Sequence, residues 1–320
     1  AQECARLGMT TVHDAGCSRT EIEMYKKLIA ANRLPVRVYA MIGGEGELWD
    51  EYLKRGPEIG DRLTVRSIKL VADGAMGSRG ALFWQPYSDD KSTSGLLMMP
   101  QEDITRIAKE ALAKGFQVNS HAIGDKANSL VLESYQQAFR AAGVPGKNDK
   151  RFRIEHAQVL RLPDFQVYAD NSVIASIQST HATSDMRWAA QRLGPDRMLG
   201  AWAPNRFLKA GARITNGSDF PVEDPNPLWG FYAAITRQDH EGNPPGGFMP
   251  DQILSRQRAL ESWTMDGAYA AFEEGKKGSI TVGKLADFLV LERDIMSVPP
   301  KEILTTKIRM TVLGGQVVHP

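Results

Sequence analysis

The sequence predicts an α/β fold in which parallel strands form a (β/α)8, or TIM, barrel whose first strand lies outside this chain. Short runs of branched and apolar residues alternate along the 320 residues with longer helical patterns, which is typical of βα units and a parallel sheet. Seven such units follow a short N-terminal helix, so one strand of eight is missing. A doubly wound sheet alternates in the same way, but no G-x-G-x-x-G turn follows an early strand.

The strand candidates are short apolar runs, several of which end in a polar residue. They are Met9 to Asp14, Val36 to Met41, Thr64 to Ala72, Phe116 to His121, Phe152 to His156, Val173 to Ile177 and Arg213 to Asn216. The helical stretches between them include Glu21 to Ala31, Glu102 to Lys114, Lys126 to Ala142, Met186 to Leu193 and Asn205 to Ala210. This regular order predicts that each strand is followed by a helix that covers the sheet.

The C-terminal part of the chain has a different pattern. After helices near Gln252 to Glu274 come short β-type segments around glycines, GSITVGKLADFLVLERD and IRMTVLGGQVVHP. We therefore expect residues 1–276 to form the barrel and residues 277–320 to form the C-terminal part of a small β-sandwich. Because the chain opens directly on a helix and a strand, AQECARLGMTTVHDAG, we also expect the natural protein to begin upstream.

Composition limits the class of protein. With 39 basic and 38 acidic residues the net charge is +1, which favours neither nucleic acid nor an anionic membrane surface and suits a small, roughly neutral ligand. Cys4 and Cys17 have no partners at zinc-finger spacing and are expected to be buried thiols. No run approaches the ~20 apolar residues of a membrane span. We expect a soluble protein, with a cytoplasmic location favoured, whose open strand edges could favour a homo-oligomer.

Four side chains at strand ends suggest a metal site. His121 and His156 end consecutive strand candidates, and Asp219 follows the last one. The C-terminal ends of barrel strands form the catalytic face, so these groups should meet there. Lys69 lies within an otherwise buried strand, where a lysine is costly unless it is neutral, paired or modified. Imidazole, carboxylate and a carboxylated lysine suit zinc and its first-row neighbours.

Simpler explanations exist for these and nearby residues. Lys69 could form a salt bridge with Asp73. Arg79, in the glycine-rich loop ADGAMGSRGALFW, could either bind a substrate carbonyl or carboxylate, or brace its loop. His181 could face the pocket or be a histidine at a helix start. The remaining candidates are weaker. The role of His13 is left open, Asp125 is expected to cap a helix, and His240 and His319 are assigned no function. Two loops, Ser88 to Gly95 and Asp239 to Pro250, are candidate binding loops or lids.

Several segments resemble the amidohydrolase superfamily, specifically its amidohydrolase 3 or YtcJ-like branch, which includes N-substituted formamide deformylase. They are GMTTVHDAG, IKLVADGAMGSRGA, NSHAIGD, RIEHAQ, STHATSDMRWA, NGSDFPVEDPNPLWGFYAAITRQ and GSITVGKLADFLVLERD. An ordered series of this kind is far more specific than any single motif. The resemblance covers nearly the whole chain and implies a TIM barrel with a flanking β-sandwich.

The resemblance also implies residue roles. His121, His156, Asp219 and a carboxylated Lys69 would be ligands of one or two divalent ions, with zinc favoured, and Asp219 would also be the general base. Arg79 and His181 would line the substrate pocket. Two departures from the family pattern are visible: its His-x-His pair on the first strand is absent, and Ser179 stands where relatives usually have proline.

The predicted function is metal-dependent hydrolysis of a carbon-nitrogen bond other than a peptide bond, in an amide, formamide or cyclic amide, with a small molecule as the only partner. Two alternatives stay open. The barrel could be a non-catalytic binding or regulatory protein, since a fold alone does not determine function. It could also be a deacetylase or isomerase on the same scaffold.

Overall fold

The computed structural model describes residues 1–320, and its main element is a parallel sheet. The strands, in chain order, are β1 (Thr11–Cys17), β2 (Arg37–Gly43), β3 (Glu58–Ile59), β4 (Leu63–Val71), β5 (Gln117–Ala122), β6 (Arg153–His156), β7 (Ile174–Ile177) and β8 (Ile214–Asn216). Seven of them pair in parallel in the order β1-β2-β4-β5-β6-β7-β8, and the short β3 pairs antiparallel with β4. Because this order never reverses, the sheet is not doubly wound, and the predicted succession of parallel βα units is confirmed.

Helices follow or connect the strands. They are α1 (Gln2–Arg6), α2 (Arg19–Ala30), α3 (Glu47–Arg55), α4 (Gln101–Ala113), α5 (Asp125–Ala141), α6 (Asp164–Asp170), α7 (Ser179–Met198, with a kink at Gly194), α8 (Pro204–Ala210), α9 (Pro227–Thr236), α10 (Arg256–Trp263) and α11 (Met265–Ala270). Those predicted from periodicity lie at their expected positions. The prediction omitted α3, α6 and α9. None of the helices has the length and apolar character needed to cross a membrane.

The two edges of the parallel sheet, β1 and β8, do not pair with each other. The sheet formed by this chain is therefore open. An open edge exposes unpaired backbone N–H and C=O groups, which are a template for a further strand.

The C-terminal region forms one small sheet instead of two packed layers. After β9 (Phe288–Leu291) comes the short helix α12 (Pro300–Ile303), and β10 (Ile308–Leu313) then pairs antiparallel with β9 and with β11 (Gln316–His319). A single three-stranded antiparallel sheet thus stands where the sequence predicted part of a β-sandwich. The segment GSITV, expected to be β-type, is not a strand, and Ile280 is 90% exposed there.

A buried ion pair joins the small sheet to the parallel sheet. Arg37, on β2, lies 2.7 Å through its Nε from the Oδ2 of Asp287, and their side chains are only 4% and 2% exposed. Two donor atoms of the guanidinium reach the two carboxylate oxygens, which is the favourable bidentate geometry for a buried pair. The helix α1 also contacts the small sheet, because the Thr311 hydroxyl donates to the Ala5 carbonyl at 2.7 Å.

The alternation of side chains along the strands separates a core from a polar interior. Ile68, Val118 and Ile154 belong to the main hydrophobic core of 51 buried residues, which includes residues of the covering helices. Because side chains alternate between the two faces of a strand, their neighbours point to the other face. Those neighbours are mostly polar: Lys69, Gln117, Asn119, Arg153 and Glu155. The sequence therefore gives the concave side of the sheet a charged lining.

Candidate metal centre

The candidate ligands lie where the parallel strands end. Val71, at the end of β4, pairs with His121 on β5, and Ala122 pairs with His156, the last residue of β6. His181 is in the first turn of α7, directly after β7, and Asp219 follows β8. Strands that run in parallel bring their carboxyl ends to the same edge, so residues far apart in sequence meet there.

Three of these residues form a compact group. One donor atom from each of His156, His181 and Asp219 lies within 4.8 Å of the other two. The Nε2 of His181 is 3.8 Å from the Oδ2 of Asp219, and the rings of His156 and His181 stack with centroids 5.9 Å apart. Two imidazole nitrogens and a carboxylate oxygen suit zinc and other first-row divalent ions. His181 was predicted to contact the substrate, and the geometry adds it to the possible metal ligands.

The other two predicted ligands lie next to this group. The ring of His121 contacts that of His156 edge to face, with centroids 4.4 Å apart. Lys69 is largely buried, and its Nζ donates one hydrogen bond, to the Leu70 carbonyl at 3.2 Å. No carboxylate lies within salt-bridge distance of Lys69. Burial lowers the pKa of the Lys69 amine, and the more distant Glu155 and Asp219 raise it by less.

Electrostatics keep the buried imidazoles neutral. Burial lowers the pKa of His156 well below its usual range, and the neighbouring His121 lowers it further. Burial and His121 lower the pKa of His181 to about 4. A histidine must be neutral to bind a metal, so both rings are in the binding form near pH 7. Burial raises the pKa of Asp219, an effect that His121 and Lys69 oppose.

Unsatisfied polar atoms indicate that the group is built to hold something. The Nε2 atoms of His121 and His181 are fully buried and have no hydrogen-bond partner. A buried polar atom without a partner costs about 1–3 kcal/mol, so two such nitrogens close to one carboxylate require an explanation. The neutral rings, the nearby carboxylate and the orphaned nitrogens together fit a divalent metal ion.

A second layer of contacts orients His156. Its Nδ1 lies 2.8 Å from the Oε1 of Gln178, and the Nε2 of Gln178 donates to the Ser176 carbonyl at 3.3 Å. Because an amide oxygen accepts, Nδ1 carries the proton, and Nε2 keeps its lone pair for a ligand. Sequence reasoning did not identify Gln178, since a glutamine directly after a strand has no distinctive signal.

Asp73 does not pair with Lys69, so the simple salt-bridge explanation of Lys69 is wrong. The Asp73 carboxylate is completely buried and accepts hydrogen bonds at 2.8 to 2.9 Å from three backbone amides, those of Leu82, Ile123 and Gly124. Its Oδ1 also lies 3.4 Å from the Nε2 of His121. Asp73 therefore fixes the loop after β4 to the end of β5, next to a candidate ligand.

Two further predictions concern the same region. Arg79 lies 3.1 Å from Asp89 and 3.8 Å from Asp90, so it braces its loop. Asp125 does not cap α5, because it is the first residue of the helix and Gly124 precedes it in the cap position. The Asp125 carboxylate instead accepts the Trp84 amide at 3.0 Å, which holds the other end of the long loop.

His13 lies in the polar interior beneath the site. Its Nδ1 is 2.9 Å from the Nη1 of Arg153, and its ring contacts that of Tyr39. The Nε of Arg153 is in turn 3.1 Å from the Oε1 of Glu155. These groups form a charged network on the strands that position Lys69 and His156.

Comparison with known proteins identifies the family. The sequence model of the Amidohydrolase family matches residues 1–319. The chain belongs to the amidohydrolase family. It is 31% identical to the YtcJ protein of Bacillus subtilis (strain 168), over 99% of this chain and 60% of that protein. It is 24% identical to N-substituted formamide deformylase of Arthrobacter pascens, over 97% of this chain and 57% of that protein.

A solved amidohydrolase-type structure supports the fold. An uncharacterized metal-dependent hydrolase from Pyrococcus horikoshii OT3 superposes with a TM-score of 0.83 at 30% identity, over 93% of this chain and 59% of that one. The chain thus has the fold of that metal-dependent hydrolase. It spans about 60% of the length of the relatives that it matches.

Proposed function

We propose that the protein containing this chain hydrolyses a carbon-nitrogen bond other than a peptide bond, in an amide, formamide or cyclic amide. The observation on which this rests is the compact group of His156, His181 and Asp219. The Nε2 of His181 and the Nε2 of the neighbouring His121 are buried without a hydrogen-bond partner. The relative named N-substituted formamide deformylase supports the bond type.

We assign the metal to the ends of β4 to β8, with zinc as the favoured ion and one or two ions bound. Lys69, His121, His156 and Asp219 would hold it, and the geometry favours adding His181. Burial lowers the pKa of the Lys69 amine, which increases the neutral form that reacts with carbon dioxide, and this supports a carboxylated Lys69. A metal bound there supplies Lewis acidity, which lowers the pKa of water and polarises a carbonyl oxygen.

Asp219 is the proposed general base. Its raised pKa makes the carboxylate a better proton acceptor than a free aspartate, and it lies at the open end of the sheet, within 3.8 Å of His181. It would take a proton from the attacking water, whose oxygen bonds to the carbonyl carbon. The same proton would then pass to the leaving nitrogen as the carbon-nitrogen bond breaks. His181 is proposed to border the substrate, and so is Arg79, whose side chain is 34% exposed in addition to its contacts with Asp89 and Asp90.

The proposal extends to the architecture of the whole protein. We propose that a further strand pairs with the free edges of β1 and β8 and closes a TIM barrel, of which residues 1–276 are part. Residues 277–320 would belong to a small β-sandwich domain. The free edges of the parallel sheet and the single-layered small sheet support this extension.

Metal content tests the site directly. We expect elemental mass spectrometry of the full-length protein to find one or two divalent ions per chain, and fewer in each of the variants His121→Ala, His156→Ala and His181→Ala. The control His240→Ala changes a histidine that packs on Trp229 away from the site and should keep the full content. Full metal content in all three site variants would show that the ion is bound elsewhere.

Turnover of amide and formamide substrates tests the role of Asp219. The variant Asp219→Asn should lower kcat by about a thousandfold, the usual range for a lost general base, while the circular dichroism spectrum stays unchanged. The matched control Asp224→Asn alters an exposed aspartate of the same loop and should retain normal turnover. A fully active Asp219→Asn enzyme would remove Asp219 from the mechanism.

A further inference from the structure

A narrow cavity opens beside the candidate metal centre, with an arginine in its wall. The lining includes His156 and His181 of the centre and, on the other side, Trp202 and Arg237. Arg237 is the residue that follows α9 and is only 2% exposed. An arginine in a cavity shared with two candidate ligands requires an explanation, because burying a cation is costly unless it is paired.

Arg237 has no anionic partner in the protein. Its Nε donates to the Phe248 carbonyl at 2.9 Å and its Nη2 contacts the Met249 sulfur at 3.9 Å, and the guanidinium makes no ion pair. Burial lowers the pKa of Arg237 to about 10, with Asp251 only partly offsetting this effect. The group is therefore still a cation near pH 7, and its Nη1 has no hydrogen-bond partner.

A second lining residue, Trp202, also has an unused donor. The Nε1 of Trp202 is buried and has no hydrogen-bond partner. Trp202 and Arg237 both pack against Phe248, whose ring centroid lies 6.1 Å from that of Trp202 and 5.7 Å from the Cζ of Arg237. No carboxylate belongs to the cavity lining, and the Asp185 carboxylate accepts from the amide of the lining residue Gln158 at 3.4 Å.

The backbone holds Arg237 in a costly conformation. Its φ of 56° and ψ of 35° are left-handed, a region that is unfavourable for a residue other than glycine. The Phe248 amide donates to the Arg237 carbonyl at 2.7 Å, so the loop from 238 to 247 is closed on this residue. Gly247 permits this closure, because a Cβ there would lie 2.3 Å from the Thr236 carbonyl oxygen. Strain of this kind commonly accompanies a binding site.

We propose that Arg237, assisted by the Trp202 indole N–H, binds a carboxylate of the substrate. The Nη1 of Arg237 and the indole N–H of Trp202 are donors without a partner, and the guanidinium lacks a counter-ion, so the complementary ligand is an anion. The inference rests on the proposed function and narrows its substrates to amides or formamides that carry a carboxylate, such as N-acylated amino acids. It differs from the roughly neutral ligand that the composition suggested.

Direct anion binding tests the proposal without relying on turnover. Propionate and its neutral analogue propionamide are titrated into the full-length, metal-loaded protein by calorimetry. The variant Arg237→Met should bind propionate at least about thirtyfold more weakly, since loss of a buried charge partner costs about 2 kcal/mol or more, while propionamide binding should be unchanged. Metal content is measured in parallel, so a failed metal site is distinguished from a failed anion site.

The matched control is Arg187→Met, which removes an arginine that is 76% exposed and pairs with Asp239 of the same loop. It should bind propionate as the unmodified protein does. If Arg237→Met does not fold, Arg237→Lys and Trp202→Phe replace it, and each should weaken propionate binding selectively. Equal propionate affinity in the folded variants and the unmodified protein, or an equal loss for propionamide, would mean that Arg237 only fastens its loop.

Discussion

At the scale of single residues, the Asp73 carboxylate holds two segments of the backbone together. It is completely buried and satisfies three backbone amides from two separate segments. Replacing Asp73 by alanine leaves those amides without an acceptor, so we expect the free energy of unfolding to fall by about 3 kcal/mol or more.

Urea unfolding measures this change. Asp90→Ala is the matched control, because Asp90 lies on the loop surface, and the free energy should change by no more than about 0.5 kcal/mol. Similar stability of the two variants would mean that the buried carboxylate contributes nothing that water cannot replace.

His13 makes the stability depend on pH. Burial, followed by Arg153 and Lys277, lowers the pKa of His13 well below 6.5 in the folded protein. Below pH ~6.5 His13 is therefore protonated in the unfolded chain but stays neutral in the folded chain. The free energy of unfolding consequently decreases as the pH falls from about 6.5. His156 and His181 act in the same direction.

We predict that His13→Gln reduces this slope by up to about 1.4 kcal/mol per pH unit. Urea unfolding between pH 7 and pH 5 measures it, with chelator present for both proteins so that metal release does not contribute. Parallel curves for the variant and the unmodified protein would contradict the assignment.

At the scale of elements, the junction between β5 and α5 is packed without spare room. A Cβ on Gly124 would lie 2.0 Å from the Leu82 carbonyl oxygen. We expect Gly124→Ala to lower the free energy of unfolding by about 3 kcal/mol, because the backbone of the loop after β4 must move. Thermal unfolding measures both variants. In the control Gly275→Ala no atom lies within 4 Å of the new Cβ, so the free energy of unfolding should hardly change. Equal effects would show that the loop adjusts freely.

The elements were predictable to the extent that their signals were local. Apolar runs and helical periodicity placed the seven parallel strands within three residues, and strand ends placed His121 and His156 together. Gln178 and Arg237 were not found, because their significance depends on contacts made after the chain folds. The GSITV segment was assigned as β-type from its branched residues, but no neighbouring strand pairs with it. Intrinsic preference for a strand needs a partner to take effect.

At the scale of the whole molecule, the proposed metal would link five separate parts of the chain. Its proposed ligands come from β4, β5, β6, the start of α7 and the segment after β8. An ion that binds only the folded state stabilises it by mass action, by about 2.7 kcal/mol at a free concentration one hundred times its Kd.

We therefore predict that a chelator lowers the Tm of the metal-loaded protein, as measured by calorimetry. The double variant His156→Ala with His181→Ala should show no such decrease, because it lacks two of the ligands. An unchanged Tm in a protein shown to lose its metal would mean that the ion does not link these segments.

The distance in sequence between the candidate ligands also sets an order of events in time. Lys69 and Asp219 are brought together only when all the strands from β4 to β8 lie side by side. Contacts between distant segments form slowly, since loop closure must precede them. A refolding chain would consequently bind its ion late. The rate of metal uptake would then report the rate at which the sheet is completed.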